Sequence, residues 1–97
     1  LKKEAELRQK ALRKEAGAYI KQAREKAELS QSQVAELLGK RFYTWISQIE
    51  SGSRKVAYSE MKDWAVILKV DPEAFAKEML RCYEPDFYEM LYGMNSK

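Results

Sequence analysis

Apolar residues recur along this chain at helical spacing, and the pattern predicts helices throughout and no strands. Residues 1–16, LKKEAELRQKALRKEA, are rich in strong helix formers, with Leu1, Ala5, Leu12 and Ala16 along one edge. The interleaved Lys, Arg and Glu suit a solvent-exposed helix. Gly17 either breaks this helix from the next or is absorbed at a small loss of stability. Residues 18–28 read as a helix that buries Ile20, Ala23 and Ala27, with Tyr19 beside them. Ser30 then offers an N-cap, and Gln33 three residues later completes a capping box. Val34, Ala35, Leu37 and Leu38 form an apolar stripe that Gly39 can stop in the left-handed conformation.

A further helix is expected over residues 42–51, with Ile46 and Ile49 inward and Gly52 at its end. After the polar loop Ser51 to Lys55, residues 58–68 bury Tyr58, Met61, Ala65 and Leu68, together with Trp64. Asp71-Pro72 is a helix start, an N-cap followed by proline at the first helical position, and the helix it opens buries Phe75, Met79 and Leu80. Pro85 ends that helix. A short last one carries Phe87, Met90, Leu91 and Met94 at i, i+3, i+4 and i+7.

The segment SQSQVAELLGKRFYTWISQIESG, residues 30–52, is the most informative part of the chain. Helix, glycine-containing turn, helix is the pattern that sets one helix in the DNA major groove. Arg24, Leu29-Ser30-Gln31, Val34-Ala35, Leu38-Gly39, Ile46-Ser47-Gln48-Ile49-Glu50 and Gly52 together resemble the lambda-repressor-like (Cro/XRE-type) helix-turn-helix family. Ala65, Leu68 and Val70 fit the end of that family's fourth helix, so the resemblance covers residues 18–70. It implies an all-α fold, a compact five-helix domain with an extra N-terminal helix and a short C-terminal helix. The expected organisation is an N-terminal basic extension over 1–17, the DNA-binding domain over 18–70, and C-terminal helices over 71–97. Between Gly39 and Ile46 the chain has one residue more than the common family spacing. Either the turn is longer or the second helix starts one residue earlier.

Helical rotation of 100° per residue puts Tyr43, Thr44, Ser47 and Gln48 opposite Ile46 and Ile49. These are candidate base contacts. Gln48 can pair with adenine through its amide, Thr44 offers a hydroxyl and a methyl, and Tyr43 can reach a phosphate or a base edge. Trp45 joins the set, although it can equally cover the domain's own surface. Phe42 is expected to pack on the scaffold as a staple. The resemblance implies a phosphate contact for Gln31 and a structural ion pair between Arg24 and Glu50. Lys40 and Arg41 in the turn, with Ser53, Arg54 and Lys55 in the loop, are candidate phosphate contacts at both ends of one helix. Phe87, Met90, Leu91 and Met94 make either a dimer patch or a tail folding back on the preceding helices.

Charge sharpens this picture. The formal net charge is +3, but residues 1–28 carry nine Lys/Arg against five Asp/Glu, whereas residues 57–97 carry five against eight. A basic front and an acidic rear suit a protein that offers its first half to an anionic polymer. With no histidine and a single cysteine, Cys82, the chain lacks the usual zinc ligands and the commonest general base. No cofactor, metal or enzymatic activity is expected, and no small-molecule ligand is evident. No apolar run is long enough to cross a bilayer, and no signal-peptide pattern occurs at the start, which is Leu1 and leaves room for residues upstream. The expectation is a cytoplasmic, bacterial or phage-encoded transcriptional regulator. It would act as a homodimeric repressor placing helix 42–51 in the major groove of a pseudo-palindromic double-stranded operator. The rival readings are a protein-interaction module using the aromatic C-terminal segment, antitoxin-like or an accessory subunit, and a single-strand RNA binder using Phe42, Tyr43 and Trp45.

Overall fold

Six α-helices make up the protein in a computed structural model that describes residues 2–93: α1 Lys2–Lys26, α2 Gln31–Leu37, α3 Thr44–Ser51, α4 Met61–Leu68, α5 Pro72–Tyr83 and α6 Pro85–Tyr92. A 3-10 turn, Tyr58–Glu60, leads into α4. Leu1 and Met94 lie outside the described residues. The all-α expectation holds, and of the two outcomes open at Gly17 the second is found: residues on both sides of it form a single 25-residue helix.

Gly17 is absorbed because α3 crosses α1 there at very close range. A Cβ on Gly17 would collide with the backbone carbonyl of Glu50 and would lie 2.8 Å from that of Ile49. Only a residue without a side chain lets the two backbones meet. Ala16 and Ile20 are fully buried on either side of this contact.

The core gathers Ile20, Val34, Ala35, Ile46, Ile49, Trp64, Ala65, Leu68, Phe75 and Met79, joined by Val56, Cys82 and Tyr83. Helix starts follow the expected chemistry. Ser30 Oγ accepts from Gln33 N–H at 3.0 Å while Gln33 Oε1 accepts from Ser30 N–H at 2.8 Å, closing the capping box. Asp71 Oδ2 accepts from Ala74 N–H at 2.9 Å, with Pro72 next to it. Gly39 and Gly52 take the left-handed backbone, at φ of 73° and 91°.

Three apolar residues expected inside are outside. Leu37 is 61% exposed, Tyr58 58% and Phe42 58%. Tyr58 belongs to the 3-10 turn and not to α4, so it leaves the helical phase that would have buried it. Phe42 belongs to the turn, where its ring lies under Arg41 and not on the scaffold.

Candidate nucleic-acid interface

The inner side of α3 is locked in three ways. Ile46 and Ile49 are buried in the core. The Glu50 carbonyl sits against Gly17. The Glu50 carboxylate takes Arg24 Nε at 2.6 Å and Nη2 at 3.2 Å in a two-pronged pair, while Arg24 Nη1 donates to the Leu29 carbonyl at 2.8 Å. Both side chains are nearly closed off from solvent, Arg24 at 11% and Glu50 at 5% exposure. The hydrogen bonds to Glu50 raise the pKa of Arg24, so the guanidinium stays charged throughout. Glu50 Oε1 also accepts from Gln31 Nε2 at 3.0 Å, which ties the first residue of α2 to the end of α3. One carboxylate thereby fixes three elements: α1, α2 and α3.

The helix expected from Phe42 starts at Thr44, so the extra residue lengthens the turn. Tyr43 is the N-cap residue; its carbonyl accepts from Ile46 and Ser47 N–H groups at 2.9 and 3.1 Å. The outer side of α3 then carries exposed Tyr43, Thr44, Trp45 and Gln48, with Ser47 half-buried between Thr44 and Gln48. Ser47 Oγ donates to the Thr44 carbonyl at a long 3.5 Å.

Trp45 gathers cations. Arg54 Cζ lies 3.7 Å and Lys40 Nζ 4.8 Å from the centre of its ring system, both within cation–π range. Lys40 also bridges to Glu60 at 2.6 Å. The loop beyond α3 folds back onto Gln48, whose carbonyl receives Ser53 N–H at 3.0 Å, Arg54 N–H at 3.2 Å, Ser51 Oγ at 3.0 Å and Ser53 Oγ at 3.2 Å. Arg54 Nε donates to Gln48 Oε1 at 2.9 Å. Lys55 lies over the rings of Tyr58 and Tyr83 and reaches Glu84 at 3.6 Å. The sequence places Arg54 in the loop; its bond to Gln48 and its seat on Trp45 are contacts that only the folded chain reveals.

The C-terminal residues divide. Helix α6 lies against α5, with Pro85 and Tyr88 half-buried. Phe87, Met90 and Leu91 stay 51%, 80% and 56% exposed, so these three do not fold back into the core. Met94, the fourth residue of that expected patch, lies outside the described residues.

A short helix, a glycine turn, and a second helix clamped on its inner side and exposed on its outer side define a DNA-binding helix-turn-helix module. The sequence profile of the helix-turn-helix domain matches residues 15–77, more than half of the chain, and the protein belongs to that family. No curated protein matches the chain. No helix among the described residues is long and apolar enough to cross a membrane.

Proposed function

We propose that the protein is a sequence-specific regulator of transcription, a repressor that inserts α3 into the major groove of duplex DNA. The observation that carries this is the division of α3 into a side pinned by Ile46, Ile49 and Glu50 and a polar side bearing Tyr43, Thr44, Ser47 and Gln48. Direct readout needs side chains held in register by a rigid support, and the Arg24–Glu50–Gln31 cluster supplies it. Gln31, Lys40, Arg41, Ser53 and Lys55 flank that side and serve as phosphate contacts. Lys40 and Lys55 exchange their carboxylate partners for the backbone of the duplex. Repression follows from occupying a site that polymerase needs.

The working unit in this reading is a homodimer joined through α6. Two copies then present two α3 helices to half-sites one helical turn apart, about 34 Å. The exposed row Phe87, Met90 and Leu91 supports such a contact. The same row favours the second reading, a protein-interaction module.

Selection from a random duplex library tests both. Recovery of a two-fold symmetric motif is expected, with Thr44→Ala and Gln48→Ala each weakening binding roughly 5- to 150-fold. Recovery of no motif, with binding that only tracks salt, overturns the first reading in favour of the second.

A further inference from the structure

We propose that Gln48 and Arg54 act as one donor-rich reading unit, built on the Trp45 ring, whose target is guanine. The inference rests on the DNA-binding reading above and names the base class that α3 recognises.

A guanidinium has no acceptor, so the Gln48 atom that meets Arg54 Nε at 2.9 Å must be the amide oxygen. That contact fixes which way round the amide points. Pairing with adenine requires the glutamine oxygen to accept from the N6 amine while its nitrogen donates to N7. Here one lone pair of the oxygen is engaged by a charged donor, and the two Nε2 hydrogens of Gln48 meet no acceptor among the described residues. Arg54 uses Nε for Gln48 and keeps the hydrogens of Nη1 and Nη2. The combined edge is rich in donors, and the guanidinium beside the remaining lone pair of Oε1 repels an incoming amine. In the major groove, the base edge with two acceptors and no donor is that of guanine, O6 and N7; thymine offers O4 alone beside its methyl.

The unit is also held in place. The Arg54 guanidinium lies 3.7 Å from the centre of the Trp45 ring system, and the backbone N–H of Arg54 donates to the Gln48 carbonyl at 3.2 Å. Trp45 and Gln48 are three residues apart on α3, so the ring and the amide share one side of the helix. Arg54 thus moves from a phosphate-contacting set to a base-reading one, and Trp45 becomes a positioning residue.

The test is duplex selection with the wild type, Arg54→Ala and Arg54→Lys, each checked for native helicity by circular dichroism. The wild-type motif is expected to hold a guanine that changes to adenine in Arg54→Ala, because a freed Gln48 oxygen can then accept from N6. The preference should shift by roughly 10-fold. Lysine keeps the charge and donates through Nζ, so Arg54→Lys should retain part of the guanine preference and lie between the wild type and alanine. An unchanged motif, with Arg54→Ala binding all sequences evenly more weakly and with a shallower salt dependence, makes Arg54 a phosphate clamp and overturns the proposal while DNA binding stands. Failure of the wild type to select any duplex removes the DNA-binding reading itself, and the proposal with it.

Discussion

Gly17 has no side chain because the Glu50 carbonyl occupies the space where one would go. In most helices, replacing an interior glycine with alanine stabilises by about 1 kcal/mol. Here the sign reverses. Gly17→Ala must push α3 away from α1, and overpacking of this kind costs about 1–3 kcal/mol. A melting temperature lowered by roughly 5–20 °C is expected from thermal denaturation. A melt unchanged or raised would show that the two helices separate without cost.

The Arg24–Glu50 pair should behave as a support and not as a DNA contact. Arg24→Ala leaves the Glu50 carboxylate buried without its main partner, a loss of about 3–5 kcal/mol. Replacing both residues together, Arg24→Met with Glu50→Leu, should recover much of that loss, because no charge is left stranded. Chemical denaturation of the single and double variants measures the difference. A double variant less stable than Arg24→Ala would refute the support role.

Cys82 offers a pH signature. Burial, opposed by Arg81, pushes its thiol up to about 11 from an ordinary value of 9.0. The folded state therefore holds its proton more tightly than the unfolded chain. Its contribution to stability is full below pH 9 and is lost as pH rises toward 11. Burial likewise raises Tyr83, whose hydroxyl accepts from Val56 N–H at 3.1 Å. Stability should fall across that alkaline window, and the decline should be shallower in Cys82→Ala. A thiol reagent should label the native protein far more slowly than the denatured one at pH 8. Equal rates would contradict the burial.

The proposed dimer contact of α6 can be tested without touching the core. Met90 is the most exposed residue of its row, so Met90→Glu should leave helicity and melting unchanged. Sedimentation at micromolar concentration should show a wild-type dimer and a monomeric variant. The variant should lose the advantage of a paired site over a single half-site. A wild-type protein that sediments as a monomer on its two-fold site rejects the interface.

Much of this was legible in the sequence where a local rule governs. Ser30 with Gln33, Asp71 with Pro72, and Ile46 with Ile49 each need only near neighbours to be understood. What was not legible depends on distant partners. Whether Gly17 breaks or continues a helix is decided by Glu50. Val56 belongs to no helical run in the sequence, yet it is buried and bonded to Tyr83, 27 positions away. Tyr58 shares the spacing of α4 but precedes it in a tighter turn, which swings it outward. In the interface, the outward set on α3 followed from rotation about the helix. The coupling of Gln48 to Arg54 did not, because it depends on a loop folding back.

Helix α1 is about 37 Å long at 1.5 Å per residue, nearly the 39 Å of the longest dimension of the molecule. Its later half is joined to α3 at Gly17 and Arg24, while its first three turns stand in solvent. The helix is in effect a drive shaft. A body attached by a continuous helical graft at its start inherits a set bearing relative to α3, and each residue inserted in the graft turns that bearing by about 100°. The orientation of any such cargo on DNA becomes a quantity that can be dialled one amino acid at a time.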